Sequence, residues 1–291
     1  MNNILKIPLG DLTRKSNVFI GERSRPSSVT SISLMSDSSC VCCVFVECQM
    51  LSINFDFEKK TYSINKKIDT LYKGKPTSTD LMSSYENSTL AVSNFFKHSS
   101  SIYKYEDGDI NHFYDIPYLM GDKVHGVKFY SKEIVALTSR RNFGGVGFVD
   151  IESGREIFSI KMKDYSVQDI CFISKSHFIT ISTLGSPLPG PNKMYDSVLH
   201  EIKLNGLEYT MTEKSVMKEC HLDSIVLYNG KLYTTDQYND KVLVLDIKTL
   251  EVIDEISGYD FPHGIDINYG LLAVTNYGSN TIDIRKLNSY E

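Results

Sequence analysis

Tryptophan is absent from the 291 residues, and proline occurs only 8 times. Large apolar contacts therefore fall to the 18 tyrosines and 14 phenylalanines, rings that favour strands. No apolar run is long enough to span a bilayer as a helix. Residues 1 to 20 carry Lys6, Asp11, Arg14 and Lys15 without the apolar core of a signal peptide, so a cytoplasmic location is expected. Basic excess is missing as well. The net charge is −5, which argues against a nucleic-acid partner. Low-complexity tracts and long helical periodicity are lacking.

Of the six cysteines, Cys40, Cys42, Cys43 and Cys48 are crowded together. On a strand Cys40 and Cys42 face one side and Cys43 the other, which splits any four-ligand metal set. All six are expected to be reduced thiols acting as small hydrophobes.

What the chain does have is a loose repeat. Between Phe261 and Leu287, Ile265 and Ile267 alternate with polar neighbours, Gly270 marks a turn, and Leu272 to Thr275 form a second run. Asn276 to Asn280 is dense in turn residues, and Ile282 and Ile284 alternate again. The plan recurs from Asp223, where Asn229-Gly230 signals a hairpin, and from Lys123 to Phe129. With Ile265 as anchor, the matching positions are Ile32, Thr79, Val127, Ile170 and Ile225, about 40 to 55 residues apart, the spacing of four-stranded propeller blades. The expectation is an all-β, six-bladed propeller occupying residues 1–291 as one domain, with blades near 29–69, 76–117, 124–162, 167–217, 221–257 and 261–287. The last unit lacks a fourth strand. Ile4 to Leu9, within a closing segment 1–9, is short and apolar and is predicted to complete it, which closes the ring and removes its edges. The tryptophan of WD repeats has no counterpart here.

In such a ring, first-strand starts and second-strand ends share one face. Thr30, Thr77, His125, Gln168, Asp223 and His263 occupy the former; Asn94, Ser139, Thr183, Asp236 and Asn276 occupy the latter. All are expected around the channel mouth, where convergent polar groups make a binding site. His125 and His263 each precede a glycine and belong to opposed blades. With Asp236 they are the candidate catalytic groups, and with Asp236 and Asn276 the candidate ligands of a divalent metal in the channel. Arg140, Arg141, Lys193, Asn94, Gln168, Asn276 and Asp223 are the candidate ligand-binding residues. The prolines of the long loop Leu184 to Tyr195 should hold it as a wall beside Arg140 and Arg141, whose planar forks suit carboxylate or phosphate.

The blades, through Gly264-Ile265-Asp266-Ile267, Leu232 to Asp236, Leu272 to Asn276, Tyr238-Asn239-Asp240 and Tyr277 to Asn280, resemble the NHL and YVTN-type propellers. They are also similar to gluconolactonase and strictosidine-synthase-like propellers. Likeness to gluconolactonases implies a Glu, Asn and Asp set on a divalent metal, with Asn94, Asn276 and Asp236 in the matching places. Likeness to NHL-type amidating lyases implies channel histidines on zinc, here His125 and His263. Two functions are expected from the whole reading. One is a binding module for an anionic small molecule, a glycan or a protein on the mouth face. The other is a metal-dependent hydrolase or lyase in the channel. Neither a nucleic acid nor a membrane span is expected.

Overall fold

A computed structural model describes residues 4–10, 17–20, 23–26, 29–117, 122–141, 144–184 and 196–287, without the side chains of 17–20, 23–26, 122 and 141. Six four-stranded antiparallel sheets follow one another along the chain. Blade one holds Val29–Ser36, Ser39–Val44, Gln49–Asp56 and Thr61–Asp69, and blade two Thr79–Tyr85, Thr89–Asn94, Ser99–Glu106 and Asp109–Pro117. Blade three holds Asp122–Phe129, Ile134–Arg141, Gly145–Asp150 and Glu156–Lys161, and blade four Tyr165–Ser174, His177–Leu184, Ser197–Asn205 and Glu208–Met217. Blade five holds Leu222–Tyr228, Lys231–Asp236, Lys241–Asp246 and Val252–Ser257; blade six holds Pro262–Asn268, Leu271–Asn276 and Thr281–Lys286. The six-bladed propeller expected from the repeat is the observed fold.

The fourth strand of blade six is Ile4–Pro8, from the other end of the chain. It runs antiparallel to Thr281–Lys286, with Ile4 opposite Arg285 and Pro8 opposite Thr281. Pro8 sits on the outermost strand, where the missing donor costs no ladder bond. Burial falls from the channel outward: Val29–Ser36 is buried almost throughout, whereas Thr61–Asp69 has no buried residue.

Among the described residues, six apolar clusters fill the six gaps between neighbouring blades. The cluster that joins blade six to blade one contains Leu5, Ile7, Ile282 and Ile284 together with Ile32, Leu34, Cys40, Cys42 and Ile53. Cys43 points the other way, into the gap between blades one and two. All six cysteines are free thiols, and burial pushes Cys40 up to about 12 and Cys43 up to about 11.

Every first strand carries a bulge against its second strand, between Val29 and Ser31, Thr79 and Met82, Val124 and Val127, Val167 and Asp169, Leu222 and Ile225, and Pro262 and Ile265. A bulge frees a backbone N–H, and a freed N–H in a dry core needs a partner. In four blades a second-strand hydroxyl accepts it. Leu81 N donates to Ser93 Oγ at 2.9 Å, Gly126 N to Thr138 Oγ1 at 2.7 Å, Ser224 N to Thr235 Oγ1 at 3.1 Å and Gly264 N to Thr275 Oγ1 at 2.7 Å. The three threonines then donate to the next blade: Thr138 to Gln168 O, Thr235 to His263 O and Thr275 to Thr30 O. This explains the glycine after each channel histidine. A Cβ on Gly264 would meet Ser31 Cα and Thr30 O at 2.6 Å, and one on Gly126 would meet Gln168 O at 2.8 Å. Carboxylates reinforce the same joints, since Ile225 N and Leu34 N donate to Asp169 and Asp266 of the preceding blades.

Two outcomes test this architecture. Ile7 is fully buried in the closing cluster, so Ile7→Ala should cost about 3 kcal/mol in urea unfolding; a cost near zero would show that the ring does not need this strand. His200 lies 3.2 Å from Ser182 Oγ and edge-on to Tyr165, and burial pushes its pKa down to about 4. The unfolded chain therefore takes up this proton first as pH falls below about 6.5, so stability contributed by the neutral ring is present at neutral pH and is lost towards pH 4. Between pH 7 and pH 5 the loss should be about 2 kcal/mol, and His200→Gln should lack that portion in paired denaturation curves.

Candidate functional site

The bulge of each first strand holds one residue that the ring directs inward: Thr30, Asp80, His125, Gln168, Asp223 and His263. Five of these are the residues expected from the repeat. The sixth differs. In blade two Met82, not Thr79, is the residue matched to the other anchors, because Thr79 pairs with Asn94 as Pro262 pairs with Asn276. The inward position is thus Asp80 instead of Thr77. Thr77 belongs to the crossing from blade one, where its backbone pairs with Thr70. The aligned polar termini of blades two and six, Asn94 and Asn276, carried the signal that could have found Asp80.

Four inward residues meet at the centre. His125 Nε2 lies 3.3 Å from Asp80 Oδ2 and 3.5 Å from Asp223 Oδ1; His263 Nε2 lies 3.2 Å from Asp80 Oδ1, and its Nδ1 lies 3.0 Å from Asp223 Oδ2. The two imidazoles, from opposed blades, come to 5.8 Å between ring centroids. All four side chains are buried, His263 being the most exposed at 7%. His125 Nδ1 donates to Gln168 O at 2.7 Å, which leaves Nε2 facing the two carboxylates. Yet His125 Nε2, His263 Nδ1 and Asp223 Oδ2 have no hydrogen bond in line, although charged partners stand within 3.5 Å. Asp80, His125 and His263 offer one metal-ligating atom each within 4.8 Å of one another.

Arg140 completes the charge balance. From the end of the second strand of blade three it reaches Asp223 Oδ1 at 3.4 Å, donates through Nε to Gln168 Oε1, and approaches His221 Nε2 at 3.5 Å. It is half-buried and turned inward, its fork on Asp223 and Gln168. Burial opposes ionisation of Asp80 and Asp223, but the histidine and arginine charges outweigh it and hold both carboxyls below their usual range. Burial and Arg140 push His125 down; for His263 burial acts the same way, but Asp223 and Asp80 prevail and raise it. Two carboxylates thus face one guanidinium and two imidazoles.

Asn94, Asp236 and Asn276, at the second-strand ends of other blades, do not join this cluster. Asn94 donates to Ser99 and Ser101, Asp236 accepts from His221 N and Asn239, and Asn276 bonds Asp260 N and Thr281. Each fastens the following turn of its own blade, and Asp236 and Asn276 also hold the segment that enters it. The Arg141 side chain, Lys193 and the loop residues 185–195 lie outside the described residues.

Above the cluster runs an aromatic rim that the repeat did not reveal. Phe95 packs against Phe45, Phe96 and the His125 ring, and Lys123 and Arg140 lie over its face. Across the mouth Tyr277 stands beside His263 and Phe261, and Phe261 beside Tyr238. Phe96 is 54% exposed, on a short 3-10 turn that ends in a left-handed His98.

No protein-family model matches the chain, and no curated protein does. Solved structures do. The chain is similar to the WD40 propeller domain of Doa1, with TM-score 0.60, 10% identity and coverage of 96% of this chain and 98% of that one. It is similar to U3-55K, with TM-score 0.61, 12% identity and coverage of 91% and 97%. It is also similar to the propeller domain of Cps50 (Swd1) from Myceliophteria thermophila, with TM-score 0.56, 9% identity and coverage of 94% and 99%. These neighbours include named WD40 propellers and not the NHL, YVTN or gluconolactonase types that the repeats resemble; at such identities they establish the fold. No described helix is long and apolar enough to cross a membrane.

Because Arg140 neutralises the fully buried Asp223, Arg140→Ala should cost about 3 kcal/mol, whereas a solvated loop arginine would cost well under about 1 kcal/mol. Urea denaturation of the variant checks this, and Arg140→Lys should recover only part of the loss because it lacks the planar fork that serves Gln168 and Asp223 together.

Proposed function

We propose that this propeller is a non-catalytic interaction module whose mouth face takes an acidic, apolar-bearing segment of a protein partner. The observation that carries this reading is the exposed Phe96 seated on Phe45 and Phe95, with Lys123 Nζ 5.0 Å from the Phe95 ring and 5.6 Å from the Phe96 ring. An exposed ring backed by other rings presents apolar area already ordered, so docking onto it costs little side-chain entropy. Lys97, exposed beside it, and Lys123 supply positive charge at its border. The combination suits a partner whose apolar side chain covers Phe96 while carboxylates meet the lysines. The propellers of known structure that resemble this chain are consistent with a scaffold.

The channel-floor cluster favours binding over general acid–base catalysis. Its carboxylates are compensated by Arg140 and His263, and a catalytic base needs a lone pair that substrate can reach. An anionic small molecule or a glycan would use the same positive border but would not need the apolar ring.

Selection of a displayed random-peptide library on the intact protein tests the reading. Acidic sequences with an aromatic or large aliphatic residue should be enriched, and they should bind the Phe96→Ser, Lys97→Glu double variant at least about ten-fold more weakly with unchanged circular dichroism. Enriched peptides that bind wild type and variant equally would refute it.

A further inference from the structure

We infer that the channel floor is a divalent transition-metal site, with Asp80, His125 and His263 as ligands and Asp223 as the fourth donor or its close support. The inference is independent of what docks at the rim.

The donor atoms are spaced for it. Bonds of about 2.0 Å from a tetrahedral ion to nitrogen and oxygen place neighbouring donors about 3.3 Å apart. One ligating atom each from Asp80, His125 and His263 lies within 4.8 Å of the others, with His125 Nε2 3.3 Å and His263 Nε2 3.2 Å from the Asp80 carboxylate and Asp223 Oδ1 3.5 Å from His125 Nε2. His263 can give only one of its two nitrogens to a single ion, so it binds through the one and keeps the other on a carboxylate.

Orientation adds a second argument. His125 donates its Nδ1 proton to Gln168 O at 2.7 Å. That backbone bond is the outer-shell contact which fixes the tautomer of metal-bound imidazoles and leaves Nε2 as the lone pair. The lone pair is fully buried, faces two carboxylates, and has no hydrogen-bond partner. A lone pair held against carboxylate oxygens is repulsive unless a proton or a metal cation lies between them. Asp223 Oδ2 and His263 Nδ1 are likewise out of line with each other. Donors that miss one another at close range fit groups aimed at a common point.

The donor set selects the class of ion. Two imidazoles with one or two carboxylates suit zinc, iron(II), cobalt(II) or nickel(II) and are too nitrogen-rich for calcium or magnesium. No thiol competes at the floor: Cys43 lies in the gap between blades one and two.

The test uses the full chain, stripped with chelator and dialysed, then titrated with zinc and with cobalt(II). We expect one equivalent bound at micromolar affinity or tighter, an intense visible cobalt band of tetrahedral type, and a rise in melting temperature with zinc. Asp80→Asn and His125→Gln should each weaken zinc binding more than about ten-fold. X-ray absorption of the zinc-loaded unmodified protein decides the matter even if a variant fails to fold. A nitrogen and oxygen shell near about 2.0 Å with imidazole scattering supports the site. A sulfur shell, no stoichiometric binding, or equal affinity in folded Asp80→Asn protein overturns it.

Discussion

A single recurring hydrogen-bond relay decides how this ring is built. Each first strand bulges where it reaches the channel, and the amide that the bulge frees would be an orphan in a dry interior. A threonine hydroxyl one strand out solves this for blades three, five and six, and in the same stroke it donates to the neighbouring blade. Local backbone satisfaction and blade-to-blade registration are thus one event. A bulge also turns its side chain off the alternation of the strand, which is why one residue per blade looks inward. The apolar clusters between blades supply most of the cohesion, but they are non-directional; at three joints the relay adds a directional bond.

The charges at the axis follow from that geometry. Six inward positions converge on a narrow space, and the chain places two acids and two histidines among them, with Arg140 reaching in from a rim. Burying so many ionisable groups is unfavourable unless each finds an opposite charge. The pattern of shifts, with both carboxyls held low, one imidazole raised and the other lowered, is that compensation at work. A polar centre of this kind contributes little net stability. The convergence of buried ligating atoms at that centre is the physical reason to look there for a bound ion.

The similarity to WD40 propellers over more than 90% of the chain at 9 to 12% identity is instructive, because this sequence has no tryptophan at all. The wide gaps between blades are filled by Ile, Leu, Val, Met, Cys and Phe in its place. Propeller geometry therefore rests on strand patterning and on the blade joints, not on one aromatic signature.

The blade count and the closing strand were legible in the sequence because they rest on period-2 alternation and on turn chemistry, which act within a few residues. The Asn229-Gly230 turn, the unpaired Ile4 to Leu9 run and the His-Gly pairs at 125 and 263 could each be interpreted locally. The same alternation puts Cys40 and Cys42 in one blade gap and Cys43 in the other. Asp80 was missed, since its bulge shifts the register by residues that alternation does not count; the pairing of Thr79 with Asn94 and Met82 with Val92 fixes it. Nor could sequence separate Arg140, drawn inward to Asp223, from an arginine in water, or distinguish Asp236 and Asn276 as turn fasteners from ligands. Those outcomes depend on contacts between residues 15 to 83 positions apart. Local pattern determined which strands this chain makes; closure of the ring decided which of their side chains meet.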